Sequence, residues 1–387
     1  MQPFKHITSA AVTDIGRKRQ NNEDAFAVIP EHGFFCVADG MGGEEDGEIA
    51  SGAIADGFKK LFERFDPARP LSLAAKTAWV TRMIDEVSNW IFQHSHQRRG
   101  KPGTGTTFVG VAFDPASPDR ALALHAGDSR VYHWRHGLRA DSDVVSGRKN
   151  TCSVMTDGGR LTPVTIDHSV ANLMGKHDER RLNPWMRNMI MRAVGLAPSV
   201  QVELTPFGIT AGDWVLVCSD GLSKMVPDSE IAAIFSSSSD PEVTARSFVD
   251  AALAAGGKDN VTVVVIRVGD LPDPLSEEGL DQTLPPATEE TADEELFSET
   301  TPSTQDTPRV KTEPWVPVSR NLLFWAVVIV ASAVVLGVVT YEIAARLTGA
   351  SVHPPPEKTM TELQHKAKPS GQRKIGNEKK VRLSTTS

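Results

Sequence analysis

Acidic side chains stand at the mouths of apolar, strand-like runs, and that placement constrains this chain more than any other feature. Asp39 and Asp220 each end a run of apolar residues, and each is followed by glycine. Asp259 stands just before the apolar run at 261–268, and Glu23 with Asp24 opens the run at 25–30. Soluble proteins keep acids on helix faces and in loops, because an unpaired carboxylate is costly to bury. Several of them at strand ends have one good physical reason, a shared hard cation. Mg2+ and Mn2+ take oxygen ligands in octahedral geometry and keep several waters. Two such ions would clamp the oxygens of an in-line displacement at phosphorus and lower the pKa of a water between them. Each Asp-Gly alone is an ordinary turn. Their number and order carry the argument.

The rest of residues 1–270 reads as one globular domain. Besides 25–30 and 34–38, strand-like runs fall at 106–113, 120–126, 129–135, 214–219 and 261–268. Residues 48–65 and 71–96 carry apolar residues at helical spacing and follow each other directly, and 243–255 is a third helical stretch. Strands clustered around two consecutive helices suggest an α+β layered sandwich rather than alternating βαβ units. Residues 139–160 have no clear period and are expected to form an exposed insertion. Cys36, Cys152 and Cys218 are an odd set at no metal-ligand spacing. Cys36 and Cys218 lie in apolar runs, where a thiol behaves as a small core residue.

Composition changes sharply beyond residue 270. Between Asp270 and Glu313 there are thirteen acids against Arg309 and Lys311, so residues 271–319 are expected to form a disordered linker. Its threonines, among them Thr288 and Thr300, read as solvated spacer more readily than as phosphorylation sites. Residues 321–341 contain no charged side chain, and such a run rises about 30 Å as a helix, so 320–345 is expected to cross a membrane. Trp315, Trp325 and Tyr341 fall near its ends, as interfacial aromatic rings do. Residues 346–387 form a basic tail. The net charge of -8 sits largely in the linker, and the globular part has no basic stripe, which argues against a nucleic-acid partner.

Eight ordered motifs resemble the protein phosphatase 2C family of metal-dependent serine/threonine phosphatases, in its bacterial form. They are DIGRKRQNNEDA at 14–25, VADGMGG at 37–43, GTGTTF at 103–108, HAGDSRVY at 125–132, IDHSV at 166–170, RNMIMRAVG at 187–195, CSDGL at 218–222 and KDNVTVVV at 258–265. The resemblance implies an α-β-β-α sandwich with a dinuclear metal centre at the strand ends, holding two Mn2+ or Mg2+ ions. In that arrangement Asp39 bridges the metals and the Gly40 carbonyl adds a ligand. Glu23 belongs to the second ion, and Asp220 and Asp259 to the first. Arg19 grips the substrate phosphate, Asp24 orients metal-bound waters, and Asn260 supports the loop. The GTGTT stretch should pack small residues beneath the site.

Two positions depart from the family pattern. Met41 stands where eukaryotic members carry a histidine proposed as general acid, and His125 and His168 are read as structural. Asp128 matches a ligand of a third metal, but its partner position is Lys224, which should weaken that third site. The resemblance implies hydrolysis of phosphoserine and phosphothreonine in proteins, opposing a membrane-associated bacterial kinase. The expected location is the bacterial inner membrane, with a single pass and the catalytic domain in the cytosol. The alternative is a catalytically weak, phosphatase-like module that binds phosphoproteins or scaffolds a membrane complex.

Overall fold

Strand β3 (Phe34–Met41) sends Phe34, Cys36 and Ala38 to one face and Phe35 and Val37 to the other, and all five are fully buried. A strand covered on both sides reads as a continuous apolar run, and the same alternation recurs across the core. We describe the 387-residue chain from a computed structural model, over residues 3–42, 46–99, 103–137, 153–174, 183 and 189–286. The expected membrane span and basic tail lie outside these residues, as does most of the expected linker. Among the described residues no helix is long and apolar enough to cross a membrane.

Two antiparallel sheets stack face to face. One contains β2 (Asp24–Ile29), β3, β5 (Phe108–Phe113), β6 (Arg120–Ala126) and β10 (Glu203–Gly208), in the order β10-β6-β5-β3-β2, with the short β4 (Gly105–Thr106) paired to the end of β3. The other runs β1-β12-β11-β7-β9-β8, formed by β1 (Ile7–Asp14), β7 (Arg130–His136), β8 (Val154–Thr156), β9 (Gly159–Pro163), β11 (Trp214–Cys218) and β12 (Val261–Val268). Between the sheets lie Phe35, Val37, Val109, Val111, Val215, Val217, Val264 and Ile266. Helices α1 (Asp46–Phe62) and α2 (Leu73–Arg99) cover the outer face of the first sheet, where Ala50, Ile54, Phe58 and Leu61 meet Phe34, Cys36 and Phe108. After the short α3 (Val170–Met174) and α4 (Asp220–Ser223), helices α5 (Asp228–Ser237) and α6 (Pro241–Ala254) cover the second sheet. There Phe235 and Phe248 pack on Trp134, Trp214, Val263 and Val265. The expected α-β-β-α layering is present.

The ends of these elements follow local rules. Asp240 caps α6, its carboxylate accepting from the backbone N–H of Glu242 at 2.7 Å and of Val243 at 3.2 Å, with Pro241 in the first turn. The α1 spacing of Ala50, Ala53, Ile54, Phe58, Leu61 and Phe62 puts every one of them in the core. Lys76 on α2 is fully buried; its Nζ donates to the backbone oxygens of His32 at 2.6 Å and Phe113 at 3.0 Å, pinning the helix to the sheet. Burial of Cys36 and Cys218 pushes both thiols up to about 12, as inert core residues require.

Two expectations need revision. Residues 153–160 of the expected insertion belong to the β8–β9 hairpin, which extends the second sheet beyond β7. Its strands are short and half-exposed, so they carry little apolar signal. The first stretch of the acidic segment is held against the domain. Asp281 exchanges backbone hydrogen bonds with Pro70 and Ser72 at 2.9 Å each, and Trp79 Nε1 donates to the Thr283 carbonyl at 2.9 Å.

Candidate active site

Asp39 lies near the end of β3, directly opposite Asp24 on β2. Its backbone is fixed on the other side by Thr107: the Asp39 N–H donates to Thr107 Oγ1 at 3.0 Å, and the Thr107 N–H donates to the Asp39 carbonyl at 2.8 Å. Thr107 Oγ1 also meets Ser129 Oγ at 2.8 Å. The small-residue stretch thus positions Asp39 from beneath. Gly40 N–H donates to the Glu23 carbonyl at 3.0 Å, and a side chain at Gly40 would collide with the Gly47 carbonyl at the start of α1. The Asp-Gly step therefore allows a close approach of two backbones rather than a turn.

Asp220 opens α4 immediately after β11, and Asp259 closes the loop before β12. These two neighbouring strand ends meet so closely that a Cβ on Gly221 would enter the Asn260 carbonyl oxygen. Asn260 ties the loop together with its side chain. Its Oδ1 accepts the Glu23 N–H at 2.9 Å, and its Nδ2 donates to the carbonyls of Ile15 and Asn21, both at 2.9 Å. Arg19 lies across this rim: its Nη2 is 2.8 and 3.0 Å from the two Asp259 carboxylate oxygens, and its Nη1 is 3.7 Å from Glu23 Oε2.

Asp24 is anchored by Ser219, whose Oγ donates to Asp24 Oδ2 at 2.8 Å while accepting the Thr262 N–H at 3.0 Å. On the far side of the cage is Asp128, 2% exposed, with Oδ2 accepting from Lys224 Nζ at 2.8 Å. The same ammonium contacts the carboxylate of Asp220, one helical turn earlier. Every expected site residue, Arg19, Glu23, Asp24, Asp39, Gly40, Asp128, Asp220, Asp259 and Asn260, therefore belongs to one cluster. Ser219, Thr107 and Gly47 were not singled out from sequence. Ser219 directly precedes Asp220, and Thr107 lies in the GTGTT stretch, so both were within sight of a motif.

The carboxylates of the cluster act strongly on one another. Burial, followed by the neighbouring charges of Asp24, Asp220, Asp128 and Asp259, raises the Asp39 carboxyl well above the usual range. Asp24 is pushed up to about 7, mainly by burial and further by Asp220 and Asp259, against the hydrogen bonds of Thr262 and Ser219. Asp128 is raised by burial and Asp220, and drawn back by Lys224. Oδ1 of Asp24 and Oδ1 of Asp128 are buried with no hydrogen-bond partner. An all-oxygen donor set with orphaned buried oxygens fits hard divalent cations.

The two histidines behave otherwise. His125 and His168 stack with ring centroids 4.3 Å apart at 14°, and burial lowers both, His125 to about 4. His125 is therefore uncharged near neutral pH. His125, His168 and Glu203 do bring one donor atom each within 4.8 Å of the others. Stacked rings direct their in-plane lone pairs side by side, however, and Arg192 Nη1 is 3.2 Å from His168 Nε2. This is hydrogen-bonded packing that holds the loop after Ile166 to the β6 end.

Comparison with known proteins gives a consistent result. A family model described as protein phosphatase 2C matches residues 15–255. The serine/threonine protein phosphatase PstP of Mycobacterium tuberculosis is 33% identical over 265 residues, which cover 67% of this chain and 45% of that one. Among solved structures, PppA, described as a key regulatory component of T6SS in Pseudomonas aeruginosa, matches with a TM-score of 0.54 and 31% identity over 68% of this chain and 97% of the other. The catalytic domain of PstP in complex with two manganese ions matches with a TM-score of 0.53 and 30% identity, over 68% of this chain and 99% of that one.

Proposed function

Because this chain belongs to the protein phosphatase 2C family, we propose that its carboxylate cage holds two manganese or magnesium ions for hydrolysis of phosphoserine and phosphothreonine in proteins. Glu23, Asp39, the Gly40 carbonyl, Asp220 and Asp259 would hold the ions, with Asp39 shared. When bound, the ions supply the concentrated positive charge and the water activation that attack on phosphorus needs. The protein's own groups do the rest. Arg19, at the rim of the cage and 45% exposed at its side chain, can turn its guanidinium fork to the phosphoryl oxygens. Asp24, held by Ser219, aims its unpartnered Oδ1 and fixes water within the cage. Asn260 keeps Glu23 and Asp259 in mutual register. Water adds its oxygen to phosphorus, the phosphoester P–O bond breaks, and phosphate and the serine or threonine hydroxyl leave.

The observation that carries this reading is the convergence of Asp24, Asp128, Asp220 and Asp259 on Asp39. With the set of expected ligands complete, a catalytically weak binding module is not favoured. The test is phosphate release from a phosphothreonine peptide by the purified full chain, with Asp220→Asn as control. Release should need Mn2+ and fall by at least about a hundredfold in the variant, more than the loss of a supporting group causes. A folded, metal-loaded chain without turnover would establish the binding module instead.

The uncharged run at 321–341 supports attachment to a membrane by a single helix; we place it in a bacterial inner membrane with the catalytic domain in the cytosol, where its phosphoprotein substrates would lie. Such a tether would concentrate the domain near membrane-bound phosphoproteins, including the targets of a membrane-associated serine/threonine kinase. Fractionation of cells, with 320–345 deleted as control, tests the attachment.

A further inference from the structure

Lys224 joins two acids of the cage, Asp128 and Asp220. Its Nζ lies 2.8 Å from Oδ2 of the buried Asp128 on one side and touches the Asp220 carboxylate on the other. Asp220 and Lys224 stand one turn apart, and the Lys224 N–H donates to the Asp220 carbonyl at 2.8 Å, so the ammonium is aimed by the chain itself. A lysine ammonium ordinarily releases its proton only at about pH 10.4, so this is a cation in working conditions.

Two carboxylates that converge beside further acids need positive charge between them. A divalent ion could provide it, and so can an ammonium. The charges of this cage discriminate between the two. Fully ionised, Glu23, Asp24, Asp39, Asp128, Asp220 and Asp259 bring six negative charges, and Arg19 and Lys224 return two positive ones. Four remain, which two divalent ions neutralise. A third ion would leave the cage positive before any phosphate arrived, and it would have to share the Asp128 carboxylate with the Lys224 ammonium already bound to its Oδ2.

We infer that Lys224 is a tethered substitute for a third divalent ion, and that it sets the metal capacity of this chain at two. The inference rests on the two-cation reading above. Lys224 acts through Asp128 and Asp220, as a positioning residue. It holds Asp220 ready for its ion and keeps Asp128 committed to an ammonium, so that Asp128 is not a metal ligand here. Reversing the charge with Lys224→Asp adds two negative charges, the amount one more divalent ion balances.

The experiment is equilibrium dialysis of the purified full chain against Mn2+ up to the millimolar range, followed by metal analysis. The wild-type chain should level off at two Mn2+ per chain and Lys224→Asp at three. Should the aspartate variant not fold, Lys224→Gln carries the test. It removes the charge, offers a neutral oxygen, and should admit a third ion at the upper end of the same range. Three ions in the wild-type chain, or two in a folded Lys224 variant at saturation, overturn the role of Lys224 alone. Fewer than two ions in the wild-type chain overturn the two-cation reading itself.

Discussion

Ser219 and Asp24 are joined by a 2.8 Å hydrogen bond that links the end of β11 to the start of β2, one strand from each sheet. The same hydroxyl oxygen accepts the Thr262 N–H, so a single side chain aligns β2, β11 and β12 where the acids emerge. A carboxylate with one oxygen held and the other free is oriented without being used up. That is the arrangement expected of a group that positions water for others.

Ser219→Ala should therefore affect catalysis as well as folding. Loss of the hydroxyl leaves Asp24 with Thr262 as its remaining hydroxyl partner and the Thr262 N–H without its own. The stability cost is about 1–3 kcal/mol for the buried donor left unpaired. The turnover cost should be about tenfold in kcat/KM at saturating Mn2+. Steady-state kinetics with a phosphothreonine peptide, alongside thermal melting, separates the two. Unchanged turnover in a folded variant would remove Asp24 orientation from the mechanism.

Asn260→Ala should act on metal affinity. Its side chain makes three hydrogen bonds to backbone groups, at Glu23, Ile15 and Asn21. Without it, the loop bearing Arg19 and Glu23 loses its register with the β12 entrance. Mn2+ affinity should fall about 10–100-fold. Titration calorimetry measures this directly, and excess Mn2+ should restore much of the activity. An affinity equal to wild type would show that the Asn260 bridge is dispensable.

Asp39 and Asp220 were legible because each ended an apolar run before a glycine, and Glu23, Asp24 and Asp259 because they stood at the start of one; the glycines marked where backbones must touch. Gly40 against Gly47, and Gly221 against Asn260, are those contacts. The layered order was legible for a related reason. Strands such as Phe34–Met41 and Val261–Val268 bury both faces, and their unbroken apolar runs stand out. Edge strands were harder to read. In Ile7–Asp14 only Ile7 is buried, the other residues being half-exposed or exposed, so β1 has neither a clean alternation nor an apolar run. The β8–β9 hairpin is concealed for the same reason. Hydroxyl partners such as Ser219 and Thr107 depend on which strands become neighbours, and no local pattern encodes that. Lys224 was visible only as a departure, whereas its contact with both Asp128 and Asp220 is a fact of the fold.

The buried Lys76 predicts how stability should depend on pH. Its Nζ is enclosed by the His32 and Phe113 carbonyls and sits 4.9 Å from the centre of the Phe4 ring, with the charges of Asp114 and His32 nearest. Burial lowers the Lys76 ammonium from 10.5 to about 7, opposed weakly by Asp114. Between those two values the unfolded chain keeps the proton and the folded chain has released it. The unfolded state then binds more protons, so stability rises with pH across this window. The contribution is complete above the unfolded value and is lost as pH falls towards the folded one. Its steepest slope is about 1.4 kcal/mol per pH unit. Lys76→Met keeps the length of the side chain and removes the titration. Denaturant unfolding at pH 7.5, 8.5 and 9.5 should give a wild-type curve that climbs relative to the Lys76→Met variant at each step. Parallel curves would mean that Lys76 stays charged inside the fold, balanced by its two carbonyls, and that burial has not displaced its proton.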